Sequence, residues 1–242
     1  MNHFVSERFS PKELQFIDEV LRREPKLAVF DCDGTLWSGD AGEGFFDWEL
    51  KRGIFPDETV HRLRARYADY RAGKVPEDVM CGEMVTLHRG LPESQVQELA
   101  REYFESTFVS RIFPELQELI VRLKKSACEV WAVSSSNIWI IRAAANHFAI
   151  DEKNILAAAV EIDNGIITDR LIRVPSGEGK PLAIREVIAR TPDAAFGNSR
   201  WDTEMLAMAK SGFAVNPNPD LKQTAEARGW TIYQPEIAAA VR

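Results

Sequence analysis

Leu27-Ala28-Val29-Phe30-Asp31-Cys32-Asp33-Gly34-Thr35-Leu36 is the stretch whose reading decides the fold. Its first four residues are apolar without alternation, the pattern of a strand covered on both faces in a parallel sheet. Two carboxylates then appear where that strand must run out into a turn. Open α/β sheets keep their chemistry at these carboxyl ends. Asp31 closes the strand, Cys32 points away and Asp33 returns to the same side, so both carboxylates can face one ligand. Gly34 permits a tight turn, and Thr35 offers a hydroxyl and an N–H to an anion.

Carboxylates this close repel an anionic substrate unless a cation offsets them, which points to a hard, oxygen-seeking ion such as Mg²⁺. One aspartate can then attack phosphorus while the other manages the leaving-group proton. A calcium loop beginning at Asp31 would need glycine at its sixth position and glutamate at its twelfth. Leu36 and Gly42 stand there instead.

The chain has 242 residues and a formal net charge of −7. It is long enough for a sizeable core, as one domain or a core with an insert. The negative balance argues against nucleic acid or an anionic membrane as partner. Cys32, Cys81 and Cys128 show neither metal-ligand spacing nor a disulfide framework, which fits a reducing cytoplasm. Met1 to Pro11 is polar, so neither a secretory leader nor a membrane span is expected.

Upstream of the strand, Ser10-Pro11-Lys12-Glu13 reads as a capping box with proline at the first helical position. Downstream of Leu36, a helix-rich stretch runs to about Pro114, with pieces at Phe45 to Arg52, Asp57 to Ala72, Glu77 to His88 and Pro92 to Ser106. It is too long to be a loop and reads as an inserted helical cap. Residues 40–111 are assigned to this cap, and residues 1–39 and 112–242 to the α/β core.

The alternating pattern then resumes. Glu129 to Val133 reads as a strand ending at Ser134-Ser135-Ser136-Asn137, a polar turn that opens a helix from Ile138 to Phe148. Ser134 is the candidate phosphate ligand, and one of the three serines or Asn137 caps that helix. Asn164-Gly165 between apolar runs predicts a β-hairpin that flanks the site. Lys180, after a glycine-rich loop, is placed to reach inward and pair an aspartyl nucleophile and a phosphate. Ala194 to Phe196 forms another buried strand, and Asn198 and Asp202 beyond it could close a metal site opposite Asp31. Phe213 to Asn216 and Thr231 to Tyr233 supply the last strands, separated by a helix from Pro219 to Arg228.

Taken together, Asp31-Cys32-Asp33-Gly34-Thr35, Ser134, Lys180 in Gly-Lys-Pro, and Gly197-Asn198-Ser199 with Asp202 resemble the four motifs of the haloacid dehalogenase superfamily. The likeness extends over residues 27–233 and is nearest the phosphoserine phosphatase branch, with phosphorylcholine phosphatases close by. It implies a Rossmann-like, doubly wound parallel sheet with an inserted cap, and a metal-dependent phosphomonoester hydrolase. By the resemblance Asp31 forms an aspartyl-phosphate, and Asp33 protonates the leaving oxygen and later activates water. Thr35, Ser134, Ser135 and Lys180 hold the phosphoryl group. Mg²⁺ sits on Asp31, the Asp33 carbonyl and Asn198, with Asp202 in support. The family commonly has aspartate where this chain has Asn198, so weaker Mg²⁺ binding is implied.

Substrate choice falls to the cap, because the core meets only a phosphoryl group. Asp40 stands where phosphoserine phosphatases carry a glutamate that reads the substrate ammonium. With Glu43, Phe45 and Trp48 it could hold an amine by charge and cation–π attraction. The expected partner is a small, amine-bearing phosphomonoester such as a phosphoserine- or phosphocholine-like compound. A weakly catalytic binding protein and a phosphotransferase or mutase stay open as alternatives. The sequence leaves the oligomeric state undetermined.

Overall fold

The computed structural model of the chain describes residues 8–236, so most of the amino-terminal stretch Met1 to Pro11 lies outside it. The elements follow in order as α1 (Pro11–Leu21), β1 (Leu27–Phe30), α2 (Ala41–Leu50), α3 (Asp57–Arg71), α4 (Glu77–Thr86), α5 (Glu93–Thr107), α6 (Pro114–Lys125), β2 (Glu129–Asn137) and α7 (Ile138–Ala145). They continue as β3 (Ile155–Asp163), β4 (Ile166–Arg173), α8 (Gly179–Ala183), β5 (Ala194–Gly197), α9 (Thr203–Met208), β6 (Ser211–Val215), α10 (Pro219–Arg228) and β7 (Thr231–Tyr233).

The strands form one sheet in the order β4-β3-β2-β1-β5-β6-β7. Every pairing is parallel except that of β3 with β4. Side-chain alternation divides each central strand between two apolar layers. Ala28, Phe30, Val130, Ala132 and Phe196 face the layer built by α1, α6 and α7. Leu27, Val29, Trp131, Val133 and Ala195 face α9, α10 and the helical segment from α8 to Ile188. The sheet is therefore covered on both sides, which is why β1 carries no polar residue. Phe30, Phe196 and Phe213 stack across three adjacent strands with ring centroids 4.1 and 4.7 Å apart. The chain winds outward from β1 through β2 and β3, then returns to β5 on the other side. That reversal opens a crevice at the carboxyl end of β1.

The entry to β1 is built as its sequence predicts. Ser10 Oγ accepts from the Glu13 amide, the Glu13 carboxylate accepts from the Ser10 amide at 2.6 Å, and α1 buries Phe16, Ile17 and Val20. The helical region, α2 to α5, has an apolar cluster of its own around Phe46, Leu50, Leu63, Val75 and Met80. It is not free of the core, however. Phe45, Val96, Ala100 and Phe104 join the core cluster, and Phe104 meets Trp37 edge-on at 5.3 Å. The hairpin of β3 and β4 turns through Asn164 and Gly165, both at positive φ. Its tip supports the turn between α4 and α5, where Gly90 N donates to Ile167 O, Ile167 N to Leu91 O and Glu93 N to Gly165 O.

Two boundaries differ from the sequence reading, and both shape the crevice. Helix α2 starts at Ala41, not Phe45, because Asp40 caps it by accepting from the Glu43 amide at 2.7 Å. Glycines at 42 and 44 disguise this first turn, but Gly42 is needed there. A methyl group at position 42 would overlap the Ser136 hydroxyl. Strand β2 runs on to Asn137 through a register shift after Val133, so the three serines lie along the strand's end. Asn137 supplies the cap of α7, its Oδ1 accepting from Ile140 N at 3.0 Å.

Candidate active site

A cavity of about 490 Å³ fills the crevice at the ends of β1, β2 and β5, roofed by α2, α3 and α4. The core contributes Asp31, Asp33, Ser134, Ser135, Ser136, Lys180 and Asn198 to its walls. The roof contributes Asp40, Glu43, Tyr67, Tyr70, Arg71 and Glu77. Four distant segments of sequence thus meet at one place.

Asp31 leaves β1 with its amide donating to Phe196 O at 2.8 Å. Its Oδ1 accepts from Lys180 Nζ at 2.7 Å and its Oδ2 from the Thr35 hydroxyl at 2.8 Å. Lys180 is 2 % exposed and also donates to Asp202 Oδ1 at 2.5 Å and Val133 O at 3.1 Å. All three ammonium protons are therefore engaged. One cation serves two buried carboxylates, and a negative charge is left over. Burial, followed by the Asp202 charge, pushes the Asp31 pKa up to about 7 despite Lys180 and Thr35. The two carboxylates outweigh burial at Lys180 and hold its ammonium above the ordinary range.

Asp33 is fixed from three directions. Oδ1 accepts from Trp37 Nε1 at 2.9 Å and Ala41 N at 2.5 Å, and Oδ2 accepts from Ser136 Oγ at 2.7 Å. Burial raises its pKa, and the hydrogen bonds from Ser136, Ala41 and Trp37 oppose that rise. Ser134 is 1 % exposed, yet reaches the cavity wall, and its Oγ accepts from Ser136 N at 3.1 Å. The Ser134 hydroxyl proton is thus available to a ligand oxygen. Above them, Glu77 Oε1 accepts from Ser176 Oγ at 2.9 Å, tying α4 to the loop that leads to Lys180.

Gly34 brings Asn198 to this group. Its φ is +73°, and a methyl group there would overlap the Asn198 side-chain amide. Gly34→Ala is expected to lose about 1–2 kcal/mol of stability from the left-handed backbone and to displace Asn198. Chemical denaturation beside an activity assay checks this, with the activity loss exceeding what the small stability loss explains. Full activity in a folded Gly34→Ala protein would show that the Asn198 amide is not needed where it lies.

A family model described as haloacid dehalogenase-like hydrolase matches residues 28–207, from β1 through α9. The chain belongs to the haloacid dehalogenase-like hydrolases. Among proteins similar to this hydrolase is a histidinol-phosphatase of Neisseria meningitidis, 25% identical over 217 residues, covering 85% of this chain and 97% of that protein. Another is the phosphoserine phosphatase SerB1 of Mycobacterium tuberculosis, 26% identical over 221 residues, covering 87% of this chain and 71% of that protein. A Bordetella pertussis protein described as of unknown function shares the fold with a TM-score of 0.75 at 20% identity, over 86% of this chain and 97% of that one. A phosphoserine phosphatase solved as a phospho-aspartyl intermediate analogue shares it with a TM-score of 0.58 at 18% identity, over 86% and 92%. Like its named relatives, this hydrolase is a phosphatase of the superfamily.

The geometry corrects several expectations for this haloacid dehalogenase-like hydrolase. Asp202 does not face the cavity as a metal ligand. Its Oδ1 is taken by Lys180 and its Oδ2 by the amides of Asn198 and Ser199, both at 2.9 Å. Thr35 does not reach a phosphate either, since its hydroxyl serves Asp31 and its amide donates to Cys32 O. Phe45 is buried and Trp48 packs on Tyr103 at 5.4 Å, with Arg52 over its ring, so neither lines the cavity. Asp40 and Glu43 do line it. The aromatic rings there are Tyr67, Tyr70 and Trp201, and the two tyrosines share one face of α3 with Arg71 at helical spacing. Of the other arginines on that helix, Arg62 and Arg64 are exposed and Arg66 pairs with Glu83. Trp37, Ser136, Glu77 and Ser176 escaped the sequence reading, and only Ser136 lay within a motif.

Proposed function

We propose that the chain hydrolyses a small, amine-bearing phosphomonoester through attack of the Asp31 carboxylate on phosphorus, in a Mg²⁺-dependent reaction. The observation that carries this reading is Asp31 itself, clamped by Lys180 and Thr35 at the end of β1 and open to the cavity beside Asp33. Attack by Asp31 forms an aspartyl-phosphate as the ester P–O bond breaks, and the leaving oxygen takes a proton from Asp33. Asp33 then takes a proton from the water that attacks the phosphorus, which returns Asp31 and releases phosphate. Lys180 screens the nucleophile, and the Ser134 and Ser135 hydroxyls face the phosphoryl oxygens. Residues 40–111 act as a cap over a core of residues 1–39 and 112–242.

The donor set suits Mg²⁺. Among the described residues no three His, Cys, Asp or Glu side chains gather into a ready-made metal site. Mg²⁺ does not require one, because it accepts few protein oxygens and keeps several waters. The Asp31 carboxylate, the Asp33 carbonyl and the Asn198 amide oxygen would hold it. The negative charge left over around Lys180 favours a cation there. Bound Mg²⁺ offsets the repulsion between the carboxylates and the phosphoryl group. Asn198→Asp adds a charge to this set and should tighten Mg²⁺ binding by about tenfold. An unchanged metal titration would remove Asn198 from the set.

The amine preference rests on Asp40, Glu43 and Glu77 in the cavity wall, which the rings of Tyr67 and Tyr70 also line. The names of the Neisseria and Mycobacterium relatives both denote phosphate esters of amino alcohols. Phosphate release should therefore be measured with histidinol phosphate, phosphoserine, phosphoethanolamine, phosphocholine and neutral sugar phosphates, with Mg²⁺ and with chelator. Amine-bearing esters are expected to lead and chelator to stop the reaction. A preference for sugar phosphates overturns the substrate assignment. No helix among the described residues is long and apolar enough to cross a membrane. Three free cysteines support a cytoplasmic setting, and the net charge of −7 supports small metabolites over nucleic acid as partners.

A further inference from the structure

The two oxygens of Asp33 have unlike surroundings. Oδ1 accepts from Trp37 Nε1 and Ala41 N, and neither of these donors can turn to accept. A proton on Oδ1 would face two others, so the carboxylic acid form must carry its proton on Oδ2. Among the described residues, the hydrogen-bond partner of Oδ2 is the Ser136 hydroxyl at 2.7 Å. While that hydroxyl donates to one lone pair of Oδ2, the transferable proton is confined to the other lone pair. Asp33 is also part of the cavity wall.

We propose that Ser136 is a positioning residue that aims the Oδ2 proton of Asp33 at the leaving-group oxygen. This rests on the role proposed for Asp33 above and adds the group that directs it. In the step it governs, the ester P–O bond breaks, its electron pair goes to the leaving oxygen, and that oxygen takes the proton from Oδ2. In the next step Oδ2 takes a proton from the attacking water, and Ser136 donates to it throughout.

Ser136 is itself held for this task. Its amide donates to Ser134 Oγ, and the register shift in β2 carries it past the end of the regular ladder. Gly42 of α2 lies against its side chain so closely that no larger residue fits there. The hydroxyl therefore has little freedom to leave Oδ2. A purely structural reading would have the same hydrogen bond fasten α2 to β2 without bearing on proton transfer.

Leaving-group dependence separates the two readings. Phenyl phosphate and p-nitrophenyl phosphate have nearly the same shape, but phenolate leaves poorly without a proton and p-nitrophenolate leaves readily. Ser136→Ala should lower kcat/KM for phenyl phosphate by about 10–100-fold, and for p-nitrophenyl phosphate by less than about threefold. Ser136→Cys fills similar space with a weaker donor and should fall between Ala and the parent. The p-nitrophenyl phosphate rate of each variant reports whether its fold and nucleophile are intact. Equal losses on both esters, or no loss on either, overturn the proposal. If the parent protein releases phosphate from none of the esters, aryl or amine-bearing, with Mg²⁺ present, the Asp31 mechanism itself fails, before any variant is compared.

Discussion

Asp31→Asn is expected to lower phosphate release by about 10⁴-fold or more, while the protein stays folded. The amide oxygen can still accept from Lys180, and the amide nitrogen can donate to the Thr35 oxygen, so the packing around β1 has no reason to change. What is lost is the anionic oxygen that the proposed reaction sets on phosphorus. The variant should also be at least as stable as the parent. Asp31 and Asp202 compete for the single Lys180 ammonium in a buried site, and neutralising one relieves that competition. Stability given up for a charged nucleophile is a common feature of active sites. A denaturation midpoint beside a phosphate-release assay checks both halves. Retained activity, or loss of activity only through unfolding, would contradict this account of Asp31.

Lys180→Met carries the largest expected effect on stability. It leaves the Asp31 and Asp202 carboxylates buried without their cation, and the Val133 carbonyl without its donor. Breaking a buried pair by removing one partner costs about 3–5 kcal/mol, a large share of the stability of an ordinary domain. Phosphate release should fall with it, because the nucleophile is no longer screened. Adding Asp202→Asn should recover part of the lost stability, since one of the stranded charges is then gone, but not the activity. The measurement is a urea titration of parent, single and double variants. A Lys180→Met protein that unfolds at the parent's midpoint would mean that the three groups are not coupled as their distances indicate.

How far the sequence revealed this site depended on whether spacing or direction was at issue. Strand β1 was plain because a run covered on both faces lacks polar residues, and Asp31 and Asp33 followed from strand alternation. The hairpin at Asn164-Gly165 followed from turn chemistry. Asp202 follows Asn198 by four residues, but spacing does not say which way a side chain turns. Ser199 and Asp202 close a capping box, which draws the Asp202 carboxylate into the protein and onto Lys180. Thr35 was misjudged in the same way, since its hydroxyl finds Asp31 before any ligand.

In the helical region, the start of α2 was hidden by Gly42 and Gly44, so Phe45 and Trp48 were read without their helical phase. With Asp40 as the cap residue, Phe45 falls on the face turned to the core and Glu43 on the face turned to the cavity. Tyr67 and Tyr70 lie on α3 among four arginines, Arg62, Arg64, Arg66 and Arg71. Their spacing of three residues, followed at once by Arg71, was the available sign of a shared face.

The account turns on a covalent bond between Asp31 and phosphorus, and a rapid acid quench of the parent protein with a phosphorus-labelled ester and Mg²⁺ tests it most directly. The label should appear on the peptide that contains Asp31, be absent from the Asp31→Asn variant, and decay as phosphate is released. Label on another residue, or phosphate release with no labelled protein at any quench time, would contradict it.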